Sequence, residues 1–207
     1  MNNCEYPSCR KASLMYFDGD KKIEPGKGYC LEHCENLEEA QKQICEYVKT
    51  HDKIVGLCAP EIHFENMDLT NKKFYGCNFQ HCTFNNIHSE GLRIRMSFFD
   101  FAIFSDCNLI SSNIMFTSFG GCIFSHALLT NSDLIQNNFC GTSAYQSSFD
   151  DSDLYNSRFM VTKLINTSFR NCNIKGVNFS KMEQENVSFK MSNTREALFS
   201  KDEELNE

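Results

Sequence analysis

The chain has 207 residues, 41% of them apolar, which is enough to bury the core of one substantial domain or two small ones. Its formal charge of −7 excludes a general nucleic-acid-binding surface, since neutralising phosphates requires clustered Lys and Arg. Nineteen Phe beside no Trp, ten Gly and three Pro point to one bulky apolar slot used many times over. There is no apolar run of about 18 residues and no basic segment leading into an apolar one, so neither a spanning helix nor a secretory leader is expected. The location expected is cytoplasmic, where twelve Cys read as thiols or metal ligands rather than as a disulfide framework.

Residues 1–59 form a Cys/His-rich segment that ends in an amphipathic helix. Cys4 and Cys9 are followed, after twenty residues, by Cys30, His33 and Cys34, with Pro25, Gly26 and Gly28 before the second group. The pattern C-x4-C then C-x2-H resembles a small zinc-knuckle or treble-clef site. That resemblance implies a structural zinc ion held by thiolate and imidazole ligands, with no position left for substrate. Cys34 competes with His33 for the fourth ligand position, and the spacing leaves the choice open. Leu37, Ala40, Ile44, Cys45 and Val48 then fall on one helical face, opposite Glu38, Glu39, Lys42 and Lys49, which predicts a helix over 34–50. Its expected task is to cover the first layer of a core, with the apolar stretch Ile54 to Ala59 leading into it.

From residue 60 to 192 the sequence keeps a period of five. Of the 28 positions taken every fifth residue from Phe64 to Phe199, 24 are Phe, Leu or Ile, and Ser89, Ala144, Gln184 and Thr194 are the exceptions. Two residues before each, the side chain is usually small, as in Cys77, Cys82, Ser97, Ala102, Cys107, Ser112 and Cys122. Segments such as Cys77-Asn78-Phe79, Cys107-Asn108-Leu109, Ser132-Asp133-Leu134 and Val177-Asn178-Phe179 resemble the motif of the pentapeptide-repeat family. The resemblance implies an all-β solenoid, a right-handed quadrilateral β-helix of six to seven coils, with the central and the small residue both inward. A second period of 20 agrees with four faces per coil: Phe79, Phe99, Phe119, Phe139, Phe159 and Phe179 make one column, and Ile94, Ile114, Leu134, Leu154 and Ile174 an aliphatic one. Space inside such a coil explains the small residues, so Cys77, Cys82, Cys107, Cys122 and Cys172 read as buried packing groups. Cys140 falls just after a central Phe and is expected to face outward.

Residues 193–207 are expected to close the other end. Asn193 or Thr194 can start a short helix through Arg195 towards Leu205, with regular coils fading between 182 and 192, Phe199 in that helix, and an acidic tail at Asp202, Glu203, Glu204 and Glu207.

No phosphate-cradling Gly loop, nucleophile elbow or metalloprotease motif is present, so a non-enzymatic role is expected, carried by the outside of the rod. Two outward features bear on it. Between Arg95 and Arg158 there is no Lys or Arg, whereas Asp100, Asp106, Asp133, Asp150, Asp151 and Asp153 all fall there. Some pentapeptide-repeat proteins imitate the shape and charge of DNA and bind type II topoisomerases; the resemblance makes DNA gyrase or a related enzyme the alternative partner. The unbroken count departs from the fluoroquinolone-protection members, which carry projecting loops, and the metal cap is foreign to them. The second feature is an apolar outer stripe of Met96, Met115, Phe116, Ile135 and Tyr155, with Tyr75 at its start. A protein partner, or a twofold dimer of this chain, is the occupant expected there; direct nucleic-acid and membrane contact are not.

Overall fold

The computed structural model describes residues 3–17, 23–24 and 28–200. From Lys53 onward the chain winds into a parallel β-solenoid of about seven turns, four faces to the turn. Each rung pairs with the residue twenty positions on: Ile54 with Phe74, Phe64 with Phe84, Phe104 with Phe124, Leu164 with Gln184. The strands are only three residues long, burying the middle one, so inward side chains alone decide what packs.

Those inward residues pile into columns. Successive rings from Phe79 through Phe99, Phe119, Phe139, Phe159 and Phe179 lie 4.6 to 5.2 Å apart. On the next face Phe64, Phe84, Phe104 and Phe124 stack at 4.8 to 5.0 Å, after which Ala144 takes the slot. There the bulk changes face, because Phe149, Phe169 and Phe189 continue at 4.7 and 5.3 Å where earlier coils hold Leu69, Ser89, Leu109 and Leu129. Each layer therefore keeps a near-constant volume, as close packing requires. The shaft has no chamber: an internal space of about 30 Å³, lined by side chains such as Phe79, Leu92 and Phe99, is wholly apolar.

Closing a square every twenty residues also fixes the backbone. Every fifth residue from Gly56 to Met191, 28 in succession, turns a corner with φ between 48° and 70°. Only Gly, Asn and Asp adopt this left-handed region at low cost, and they fill 16 of the 28 corners. This accounts for much of the Asn content. At several positions two residues before a central site, a Ser or Asn side chain of the next coil accepts from the backbone N–H: Ser112 N–H to Ser132 Oγ at 2.9 Å, Ser132 N–H to Ser152 Oγ at 3.0 Å, Thr117 N–H to Asn137 Oδ1 at 3.0 Å. The small inward residues are thus hydrogen-bonding rungs as well as spacers.

Both ends differ from expectation. The solenoid starts at Lys53 rather than residue 60, since Ile54, Leu57, Ala59 and Ile62 already occupy buried inward positions. The helix, α1, spans Leu37–Thr50 rather than beginning at 34, with Asn36 accepting from the Glu39 N–H at 3.2 Å. Ile44 and Val48 face the core, whereas Leu37, at the helix start, is exposed. Gln41 accepts from the His63 N–H at 3.1 Å and donates to the His63 carbonyl, sealing that part of the first strand edge. Lys72 stands where other coils carry a small residue. Its buried ammonium donates to the Lys49 and His51 carbonyls at 2.9 and 3.0 Å, closing the carboxyl end of α1 with a charge of the favourable sign.

At the far end, coils do not fade before 192 and Phe199 does not enter a helix. Its ring stacks on Phe179 at 5.1 Å and 4°, and the Phe179 N–H donates to the Leu198 carbonyl. One more aromatic layer outweighs the helix-favouring sequence, which is reduced to a 3-10 turn at Thr194–Glu196. The expected acidic tail lies outside the described residues.

The change of face at Ala144 and Phe149 is testable. Ala144→Phe puts two bulky groups into one layer and should cost about 1–3 kcal/mol in denaturant unfolding. Adding Phe149→Leu should recover at least half of that loss; additive penalties would show that the layers are not volume-coupled.

Candidate metal centre and outer faces

The first thirty-four residues have little apolar mass, and their local backbone brings four ligand-type atoms together. An antiparallel bridge joins Asn3 to Ala12, and the Cys4 N–H donates to the Lys11 carbonyl at 2.8 Å. Between them a tight turn with Ser8 at φ 65° returns Cys9, whose N–H donates to the Tyr6 carbonyl. After a hairpin formed by Tyr16–Phe17 and Ile23–Glu24, Cys30 opens a 3-10 turn, Leu31–His33. The Lys11 to Glu32 ion pair, 2.6 Å long, ties the two halves together, and the Met15 N–H to Cys58 carbonyl bond of 2.8 Å fastens them to the first coil.

The Sγ atoms of Cys4, Cys9 and Cys30 and a ring nitrogen of His33 all lie within 4.8 Å of one another. His33 Nδ1 is 3.5 Å from Cys4 Sγ and 3.3 Å from Cys30 Sγ, and Cys9 Sγ is 3.9 Å from Cys30 Sγ. A tetrahedron with metal–sulfur bonds near 2.3 Å and metal–nitrogen bonds near 2.0 Å has edges of about 3.5 to 3.8 Å. The four groups fit it, and this cluster can hold a metal ion. Tyr6 stacks flat on the His33 imidazole at 3.9 Å and 4°, holding its plane. Burial opposes ionisation of Cys4, but hydrogen bonds from the backbone of Cys30 and Tyr6, and from the His33 and Cys30 side chains, bring it down to about 6. Burial pushes Cys30 up, and its hydrogen bond to Cys4 adds to the effect. The cluster thus favours a first thiolate at neutral pH, as metal capture needs.

Cys34 stands apart from the four. It lines a cleft of about 400 Å³ with Leu14, Met15, Tyr29 and the first turns of α1. The residues Pro25 and Gly26, noted in the sequence, lie outside the described residues.

The remaining cysteines sort by position. Cys77, Cys82, Cys107, Cys122 and Cys172 are all buried at inward sites, and several donate to carbonyls of the coil before, as Cys172 does to Phe149 at 3.1 Å. Burial pushes Cys77 and Cys107 up to about 11, Cys172 up to about 12, and Cys82 and Cys122 higher still. Cys140 is half-buried on an outer face.

On the outside, the apolar stripe is where the period of 20 places it. Met96, Phe116 and Tyr155 are exposed, while Met115, Ile135 and Tyr75 are half-buried. The structure adds Phe98 on the adjacent face, Phe101 at that face's far corner, and Ile103 and Ile123 on the face opposite the stripe, all exposed. The outward columns carry the signal for these four, on faces other than the stripe that the sequence reading picks out. Gly121 lies beneath the Phe101 ring, where a Cβ would approach it to 2.6 Å.

The six aspartates do not form one surface. Asp133 and Asp153 share a face, Asp150 and Asp151 adjoin it around a corner, and Asp100 and Asp106 point elsewhere. Several are used locally. Asp100 accepts from the Gly120 N–H at 3.0 Å, Asp150 from the Arg170 N–H at 2.7 Å, and Asp106 lies 3.4 Å from His126 Nδ1. Among the described residues no helix is long and apolar enough to cross a membrane.

The family model for pentapeptide repeats matches residues 122–160, in eight copies. The same five-residue frame continues on both sides of that stretch in the solenoid, so the match lies within a longer array of such repeats. A search of curated proteins gives no match. Among solved structures, a trypsin-treated form of QnrB1, a plasmid-mediated fluoroquinolone resistance protein, is 17% identical over 69% of this chain and 85% of its own, with a TM-score of 0.37. HetL, involved in heterocyst differentiation regulation in the cyanobacterium Nostoc sp. strain PCC 7120, is 11% identical over 84% and 100%, with a TM-score of 0.29. Rfr23 from the cyanobacterium Cyanothece 51142 is 12% identical over 72% and 99%, with a TM-score of 0.35.

The buried thiols give an alkaline signature. Their folded values lie above the ordinary 9.0, so above pH 9 the unfolded chain sheds protons that the folded chain keeps. Stability should be intact below pH 9 and fall as pH rises from there through 11. Cys107→Ala and Cys172→Ala together should flatten that fall in urea titrations at successive pH values, and an unchanged slope would refute the assignment.

Proposed function

We propose that this pentapeptide-repeat protein is a non-enzymatic interaction module: the outer faces of its rod bind another protein, and a structural zinc ion holds its amino-terminal cap. The observation that carries the reading is the chemistry of the corners. Met96, Phe101 and Phe116 are exposed apolar residues at φ 49° to 60°, where Asn or Gly would relieve both the backbone and the exposed surface. Phe101 stacks on the His81 ring and lies over Gly121, yet all three side chains stay more than half exposed on strained backbone, which makes sense where a partner covers them.

The alternative, a DNA-like rod that occupies a type II topoisomerase, draws on the acidic middle of the chain and on the family resemblance. The spread of the carboxylates over several faces, and their use as local acceptors, favours protein contact through apolar corners instead. For the metal, three thiols and one imidazole suit zinc, and four protein ligands leave no open position for catalysis.

Two experiments test these readings. Proteins retained from extract by the full chain should be lost with the variant Phe101→Asn, while purified wild type leaves gyrase supercoiling unchanged at high micromolar concentration. An identical retained set for both chains would overturn the corner assignment; inhibition abolished by Asp133→Asn plus Asp153→Asn would establish the mimic. For the cap, elemental analysis should find one zinc per chain, kept by Cys34→Ala and lost by Cys9→Ala. Chelation should then raise amide exchange within residues 3–34 while the rod stays protected. A protected cap without metal, or equal zinc loss in both variants, would refute the site.

A further inference from the structure

One face of the rod changes sign along its length. Its strands at 53–55, 73–75, 93–95 and 113–115 are continued by bridges at Asp133 and Asp153. The first outward column of this face reads Lys53, Lys73, Arg93, Asn113, Asp133, Asp153, Asn173. Three cations thus stand one above another at the spacing of paired strands, about 4.8 Å, followed by a neutral residue and two anions. Like charges directly adjacent across strands are unfavourable. No carboxylate among the described residues forms an ion pair with these three cations: the ion pairs there are Lys11 with Glu32, His126 with Asp106 and Lys175 with Glu196, and Lys53 stands 5.8 Å from the Tyr75 ring. Asp133 and Asp153 accept only from the amides of neighbouring Asn113 and Asn173 and from the Tyr155 N–H.

We propose that this face is an interface between two antiparallel copies of the chain, related by a twofold axis that crosses the face at Asn113, Met115 and Phe116. This rests on the reading of the outer faces as contact surfaces and names the occupant of this one. A twofold axis lying in the interface and perpendicular to the rod makes every column meet itself in reverse. Arg93 then faces Asp133, and Lys73 faces Asp153, twice each across the interface. In the second column Met115 meets its own copy, Tyr75 meets Tyr155, and Arg95 meets Ile135. The Arg95 guanidinium already donates to the Asn113 carbonyl at 2.7 Å and to its side-chain oxygen, so its stem lies along the sheet. At the corner Phe116 meets itself, and Met96 meets Gln136. No like charges are opposed, and the residues nearest the axis are apolar. A shift of one coil in the antiparallel pairing still opposes unlike charges, Lys73 with Asp133 and Lys53 with Asp153 in one direction or Arg93 with Asp153 in the other, but it takes Met115 and Phe116 away from their own copies and leaves Arg93 or Lys73 facing an Asn; a parallel arrangement sets cation against cation.

The face is about 15 Å wide, as five near-extended residues allow, and about 30 Å long, so the pair would bury roughly 900 Å² in total. That is the low end for a specific interface, and the dimer is a reversible, salt-sensitive one.

Sedimentation velocity of the full chain over a range of concentrations tests this. Wild type should form a dimer that weakens with added salt. Arg93→Asp and Asp133→Arg should each weaken it at least tenfold, because each sets like charges face to face twice. Mixing the two single variants should restore dimers, since both contacts in the mixed pair are again opposite in sign. Circular dichroism of each variant checks that the rod is intact. Wild type that stays monomeric at several hundred micromolar, or a mixture no better than either variant alone, would overturn the proposal. Neither result would touch the retention of other proteins by the Phe101 corner, so the two readings fail separately.

Discussion

A chain that returns to the same place every twenty residues, one strand spacing higher, must set each inward side chain beneath its counterpart in the next coil. Identical flat rings meet that condition well, which is why one aromatic column runs from Phe79 to Phe199 without interruption. The same condition makes volume a property of the layer rather than of the site. When Phe124 gives way to Ala144, the missing ring reappears one face later as Phe149, and the two columns meet through edge-to-face contacts of Phe139 with Phe149. The interior is thereby committed to packing, and the small inward residues to satisfying backbone N–H groups.

The same return dictates a left-handed corner every five residues, and this gives the outside of the rod its meaning. A corner residue is exposed and conformationally strained unless it is Gly, Asn or Asp, so the corners record where something other than folding has shaped the sequence. Asn66, Asn86, Asn166 and Asn186 follow the backbone's preference, and their side chains form ladders such as Asn86 Nδ2 to Asn66 Oδ1 at 2.6 Å. Met96, Phe101, Phe116 and Val161 do not. Three of these four lie within two coils of one another, on the segment that carries no Lys or Arg.

Much of this is legible without the structure. The period of five marks the inward set, the period of 20 marks the columns, and the spacing of Cys4, Cys9, Cys30, His33 and Cys34 points to the cluster that can hold a metal ion. What stays hidden depends on interactions that a repeat pattern does not encode. Lys72 occupies a slot for small residues because it sits in an end layer, where the carbonyls of α1 lie within reach. Ile54 is inward because Phe74 lies in the next coil, whereas the apolar stretch from Ile54 to Ala59 reads in sequence only as a lead into it. The neighbours Arg195, Glu196 and Ala197 favour a helix for Phe199, whereas the ring of Phe179 decides its place. His33 and Cys34 are not separable by spacing; the 3-10 turn and the stacking of Tyr6 orient the imidazole, not the second thiol, towards Cys4 and Cys30.

A rod built this way presents its outer residues on a fixed grid, with steps of one strand spacing along the axis and five residues around it. Little side-chain or loop ordering remains to be paid for on association, so a narrow face can bind where a flexible surface of equal area would not. The grid also converts sequence into register: a charge twenty residues on is one step up the same column, and a partner matches only if its own charges recur at that step. The partner certain to share the step is another copy of the rod. On that ground the change of sign between Arg93 and Asp133 carries more information than the net charge of the chain, because order along a column, rather than total charge, decides whether two such faces attract in a single register or in many.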